Sequence, residues 1–224
     1  MGIAVVPRLY LVLTAKGIDP DGTVYLSAAN DFLKGDFLKA FSNVFPPFYP
    51  FLTALLSPLA GDVELAGRIV SLIFGTLTLL PVYYLGRRLF GEKITIFSIF
   101  LLIFHPYLAE FSGSVLSESV YTFLVALGVL VGWKGLDSKS WSLMFLLGIL
   151  LGLAYLTRPE GLGFVALFLL WIFFSEGLRF WQGFRIKWFM ALSLVVGISI
   201  FAIPYILFLH QVTGKWILSQ KIGL

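Results

Sequence analysis

Residues 66–88 read AGRIVSLIFGTLTLLPVYYLGRR. A run of about 20 mostly apolar residues is what a helix needs to cross the roughly 30 Å hydrocarbon core of a bilayer. This run, at about 66–86, closes on the basic pair Arg87 and Arg88. Outward from it, runs of the same kind recur at about 94–110, 117–134, 141–157, 162–181 and 187–209. A further apolar stretch, 1–13 (MGIAVVPRLYLVL), is shorter and carries Pro7 and Arg8. It shows no small-residue cleavage site of a signal peptide and reads as a truncated first span. Hydrophobic residues make up 59% of the 224 and charged residues 12%, with a mean hydropathy of +0.95. Soluble domains are nearer half and a quarter, so a soluble globular protein is excluded. The net charge of +4 is then no sign of nucleic-acid binding, because in a membrane protein the position of each charge matters more than the sum. Cysteine is absent, which excludes disulfides and thiolate metal sites.

Basic residues mark the cytoplasmic ends of spans. Arg87, Arg88 and Lys93 follow the first long run, Lys134 and Lys139 separate the third from the fourth, and Arg179, Arg185 and Lys187 precede the last. These three loops hold only three acids, Glu92, Asp137 and Glu176, while the other nine fall on the opposite side. Trp133, Trp141, Trp181 and Trp188 flank the same loops as an aromatic belt. The loop between the first two spans, residues 14–65, therefore faces outward. Within it, TVYLSAANDFLKG (23–35) reads as an amphipathic helix with Val24, Ala28 and Phe32 on one side and Gly35 as its stop. FPPFYPFLTALLSPL (45–59) is apolar, short and broken by four prolines, so it is expected to lie in the outer interface or dip into it. The echo DFLKGDFLKA (31–40) belongs to no longer repeat. The expected fold is all-α, a polytopic transmembrane helical bundle of one domain over 1–224, with a long outer loop carrying short interfacial helices. Incompleteness at the C-terminus, and at the N-terminus, is part of that expectation.

Few charges on the outer face lie close to the spans, and charges at a membrane edge commonly serve a site. Asp19 and Asp21 precede the loop helix; they read either as cap and dipole partners of its start or as a general base able to take a hydroxyl proton. Glu118, in SVLSESVY, opens a span at its outer end, where an acid also complements the helix start. Arg158 and Glu160, in YLTRPEGLGF, sit at an outer junction and read either as a local ion pair or as part of a site. His105 and His210 have no ligand-like spacing with carboxylates, so the sequence supports no metal site. No cofactor is evident, with dependence on a divalent metal left open.

The order DPDGTVYLSAAN (19–30), PPFYPFLTALL (46–56), ELAGRIVSLIFGTLTLLPVYYLGRRLFG (64–91), HPYLAEFSGSVLSESVY (105–121) and GLAYLTRPEGL (152–162) resembles the polytopic glycosyltransferases of the GT-C superfamily. The nearest group is its protein-mannosyltransferase and aminoarabinose-transferase-like branch. The resemblance runs over about 17–215, its motifs short but specific in order and spacing. It implies a membrane glycosyltransferase that takes sugar from a polyprenyl-phosphate donor and passes it, with inversion, to a lipid, glycan or protein acceptor. The reaction would occur at the extracytoplasmic face of the plasma membrane, among membrane lipids and with no nucleic acid. It places the catalytic base on Asp21, followed by Tyr25 as a substrate-side residue. Many members carry Asp-Glu at this point; here Gly22 stands in place of Glu, so Asp19 or Glu118 would assist. Arg158, Lys215 and Lys221 are candidates to neutralise the leaving phosphate, or else cations snorkelling at the interface. Glu160, in TRPEG, belongs to a motif of the closer relatives. The alternatives are a transporter or flippase of lipid-linked saccharides and an inactive fragment. A transporter would show broken helices in matching halves, and no such halves are visible.

Overall fold

A computed structural model describes residues 2–14, 17–174 and 184–223. All regular structure among them is helical. The chain opens with α1 (Gly2–Thr14), then the loop segment builds α2 (Pro20–Leu33), α3 (Phe37–Phe41) and α4 (Phe48–Ala60). The long apolar runs become α5 (Val63–Leu77), α6 (Leu79–Phe90), α7 (Glu92–Ile103), α8 (Pro106–Gly113) and α9 (Glu118–Ser138). They continue with α10 (Trp141–Tyr155), α11 (Gly161–Phe174) and α12 (Phe184–Thr213), and Gln220–Gly223 forms a final 3-10 turn. The result is an all-α polytopic bundle.

Prolines decide where the apolar runs break. α5 and α6 form one 28-residue apolar helix, Val63–Phe90, interrupted at Thr78. Pro81 has no N–H to offer the Leu77 carbonyl, so the ladder stops there. Pro106 has a larger effect, because the expected span at 94–110 is a pair, α7 and α8, bent by 56°. The residue before a proline is driven to extended backbone; His105 takes φ −66° and ψ 119° and caps α8 by accepting the Leu108 N–H. By length and composition three described helices suit a membrane span, Val63–Phe90, α9 and α12, or four with the bent pair. α10, at 15 residues, is shorter than the run at 141–157 suggests, and α11 is described over Gly161–Phe174 of the run at 162–181. The end of the latter run, with Glu176, Arg179 and Trp181, lies outside the described residues.

Glycines bring these helices together. A Cβ on Gly148 of α10 would stand 2.3 Å from the Leu194 carbonyl of α12, and one on Gly197 of α12 2.4 Å from the Phe145 carbonyl. Small residues at such a crossing let backbones touch, which is how helices associate where lipid removes the hydrophobic drive. Gly132 of α9 seats the Phe168 ring of α11 in the same way. Outward, Phe97, Phe100 and Leu101 on α7 and Leu192, Val196 and Ile200 on α12 remain exposed, apolar faces that acyl chains would cover.

The loop segment packs on the bundle along one side. Ala28 and Phe32 of α2 are buried and Gly35 ends it at φ +76°. α4 does not simply rest among headgroups. It buries Tyr49, Pro50, Thr53, Ala54 and Ser57 against the protein, and only its other side, with Phe51, Leu55 and Leu59, is exposed. The Tyr49 hydroxyl donates to the Gly67 carbonyl at 3.0 Å and lies 3.1 Å from Ser71 Oγ, which ties α4 to α5. The echo DFLKGDFLKA is a helix corner: the buried Asp31 of its first half accepts Lys39 Nζ of its second at 3.0 Å. The two ends of the bundle are also distinct. Arg88 pairs with Asp137 at one, and Arg158 with Glu118 at the other.

Candidate functional site

The second of those ends carries the candidate residues. α2 begins on Asp19, whose carbonyl accepts the Thr23 N–H at 3.2 Å while its side chain makes no cap bond. Pro20 and Asp21 follow in the first turn, and both aspartates are exposed. Gly22 then lets α2 press onto the link between α8 and α9: a Cβ there would meet the Val115 carbonyl at 3.0 Å and Ile18 Cγ2 at 2.8 Å. This close approach gives a steric reason for glycine where the family resemblance implied glutamate.

One turn beyond Asp21, Tyr25 points inward with 4% of its surface exposed. Its hydroxyl lies 2.8 Å from Ser117 Oγ, and its ring packs on Phe45 at 4.8 Å and edge-on to Tyr49 at 5.0 Å. Burial pushes this phenol up to about 12, against the Ser117 hydrogen bond, with Glu118 and Asp21 raising it and Arg158 lowering it. The charges of Asp21, Glu118 and Arg158 thus act on one hydroxyl.

Arg158 sits in the turn after α10, where its N–H donates to the Ala154 carbonyl at 2.8 Å and its own carbonyl accepts the Gly161 N–H at 3.0 Å. Its Nη1 donates to Glu118 Oε1 at 2.5 Å, while Nε stands 3.7 Å from Glu160 Oε2. The local pair expected from sequence is therefore the looser of two. Burial disfavours the guanidinium charge, but the attraction and hydrogen bond of Glu118, followed by the charge of Glu160, outweigh it and raise the Arg158 pKa. Lys221 Nζ lies 5.6 Å over the Phe45 ring, the ring that packs on Tyr25. Lys215 is exposed in the turn after α12, its backbone bonded to the Thr213 hydroxyl. The structure thus links Tyr25 to Ser117 and Arg158 to Glu118 and Glu160, with Lys221 over the Phe45 ring, while Asp21 stands exposed one turn before Tyr25 and Asp19 and Lys215 are exposed as well. Among the described residues no group of three or more His, Cys, Asp or Glu could hold a metal ion.

Sequence reasoning passed over several contributors. Ser117 receives the Tyr25 hydroxyl across 92 positions of chain, a meeting with no local signal. Arg68 had one, an i,i+4 Glu64–Arg68 pair at the head of an apolar run. Its guanidinium bonds Glu64 at 2.6 Å and also donates to the Gly17 and Val12 carbonyls at 3.2 and 3.4 Å. It thereby holds the exit of α1 and the chain that leads to Asp21. Beside the cluster, an apolar groove of about 410 Å³ opens between Phe48, Phe51 and Leu156 on one side and Phe201, Pro204 and Phe208 on the other. Leu156, whose carbonyl accepts the Phe48 N–H at 2.9 Å, lines the groove two residues before Arg158.

Among family models, one described as dolichyl-phosphate-mannose-protein mannosyltransferase matches residues 45–218. Among curated proteins nothing matches. The family match takes in Glu118, Arg158, Glu160 and Lys215 and begins after Asp19, Asp21 and Tyr25.

Proposed function

We propose, from the premise that this chain belongs to the dolichyl-phosphate-mannose-protein mannosyltransferase family, that its membrane glycosyltransfer uses a polyprenyl-phosphate sugar donor. The sugar passes to a hydroxyl of a lipid, glycan or protein acceptor at the extracytoplasmic face of the plasma membrane. The observation that carries this reading is the meeting of Tyr25 with Ser117 and of Glu118 with Arg158, Asp21 one turn before Tyr25, with an apolar groove lined in part by Leu156 two residues from Arg158. A lipid-phosphate donor has one charged end and one isoprenoid end, and the groove offers the second a place beside the first. The acceptor oxygen attacks the anomeric carbon, Asp21 takes its proton, and the bond from that carbon to the phosphate oxygen breaks with its electron pair on the phosphate. Arg158 and Lys221 stand to offset the charge that develops there. Single displacement by this route inverts the anomeric centre.

The test is to incubate the full-length protein in proteoliposomes with dolichyl-phosphate mannose and undecaprenyl-phosphate sugars and follow sugar transferred to hydroxyl acceptors. Transfer from one of these donors, with inversion, is the expected result. Transfer from nucleotide sugars alone would overturn the donor assignment. Orientation is checked separately. The chain has no cysteine, and Ser27 is exposed on α2, so Ser27→Cys in intact cells should react with a membrane-impermeant maleimide added outside. Labelling only after the cytoplasmic side is opened would place the cluster on the wrong face.

A further inference from the structure

Arg8 is 1% exposed in the middle of an apolar helix, and nothing in the transfer chemistry above uses it. A buried guanidinium at membrane depth is costly unless its donors are occupied. The bend between α7 and α8 supplies one acceptor: the Ile103 carbonyl, freed where the helix breaks, accepts Arg8 Nη1 at 3.4 Å. Ser112 of α8 supplies another, its Oγ accepting Arg8 Nε at 3.2 Å while donating to the Leu108 carbonyl at 2.6 Å. Both Arg8 and Ser112 line a cavity of about 20 Å³ with Thr78, Ser119, Thr122 and Glu118. At its other end Glu118 has one oxygen on Arg158, and its second, Oε2, is buried without a hydrogen-bond partner among the described residues. A site holds one water when it offers more than about 10–15 Å³ and two to four polar partners. Arg8 makes the same space hostile to a cation.

We infer that this cavity binds a single water that joins Glu118 Oε2 to the Ser112–Arg8 pair, and that Arg8 is a positioning residue for the Glu118–Arg158 pair. Glu118 then stands between two arginines, one at the surface and one at membrane depth, and acts as their shared counter-ion rather than as a base. Gly75 borders the space from α5: a Cβ there would lie 2.1 Å from Ser112 Oγ and 3.3 Å from Ser119 Oγ. The water and its links stand on this geometry; only their consequence for turnover rests on the transferase reading.

Infrared difference spectra of the full-length protein in lipid nanodiscs test it, with Glu118→Gln subtracted to isolate the Glu118 carboxylate. The wild type should show a water O–H stretch that moves on exchange into ¹⁸O-water, and Gly75→Ala should lose it because its methyl takes the space. Arg8→Met should shift the Glu118 carboxylate band and lower kcat for transfer from dolichyl-phosphate mannose about fivefold, as loss of one hydrogen bond in a relay would, with KM held. Arg8→Lys should restore part of both. If Arg8→Met fails to insert, Ser112→Ala cuts the same link with Arg8 in place and should shift the same band. An isotope-sensitive band that survives Gly75→Ala overturns the water site. A carboxylate band unmoved in Arg8→Met, or in Ser112→Ala where that stands in, overturns the coupling. Wild-type protein that transfers no sugar would count against the donor assignment and leave both spectroscopic outcomes decisive.

Discussion

Asp21→Asn should lower the rate of sugar transfer by about 10²–10⁴-fold, the usual loss when a positioned general base is removed, while Asp19→Asn stays close to wild type. The two acids are two residues apart, and composition cannot separate them. Their places on the helix differ: Asp21 lies in the first turn of α2, one turn before the buried Tyr25. Asp19 precedes Pro20 with ψ 150°, outside the helix. Asparagine keeps the size of either residue and its capacity to cap a helix, so the structural cost at each site is at most about 1 kcal/mol. A hundredfold rate loss is well beyond what that explains. The measurement is initial transfer rate in proteoliposomes at matched levels of folded protein. Loss of transfer in Asp19→Asn with a near-normal Asp21→Asn would move the base to the other aspartate, and two active variants would leave the loop acids structural.

Arg158→Met should cost about 10²–10³-fold in kcat, in the range found when a donor to developing transition-state charge is removed. Methionine keeps the length and apolar volume but cannot offset charge on the leaving phosphate. It also strands Glu118, whose inner oxygen is already without a partner among the described residues, so instability could imitate a catalytic loss. Arg158→Met combined with Glu118→Gln removes both charges of the pair and separates the two effects. The double variant should recover thermal stability and stay slow. Recovery of the rate along with stability would reduce Arg158 to a structural partner of Glu118. Arg158→Lys should recover only part of the rate, since one ammonium cannot reproduce a guanidinium fork that reaches Glu118 and Glu160 at once.

The bundle was readable because its signal is thermodynamic and local: an apolar run near 20 residues has few places to go except a membrane-spanning helix. Where reading stopped, the deciding contact was distant or a single residue was averaged away. The break at His105–Pro106 is a plain proline signal hidden inside an apolar window. α4 has the same composition whether or not one face packs on α5, and the Tyr49 bonds to Gly67 and Ser71 are what tie it there. At the site, Asp21, Tyr25, Glu118 and Arg158 stood out as rare charges or neighbours of charges on one face. Their partners did not. Arg158 has an acid two positions away in Glu160, yet its short bond goes to Glu118, forty positions away. Ser117 carries no local mark, because a serine at a helix margin is common, and Arg8, though conspicuous in an apolar stretch, gains its partners Ser112 and Ile103 only by tertiary approach.

The contact between Gly22 and the Val115 carbonyl also bears on ancestry. If the lineage once carried an Asp-Glu pair at 21 and 22, the loss of the second acid allowed α2 to settle on the 114–117 link, and that settling closed the way back. A return to glutamate would now force the Val115 backbone and Ile18 aside before the carboxylate could contribute. Restoring an acid at 22 therefore carries a steric cost set by how far that link can give, a barrier that glycine does not meet.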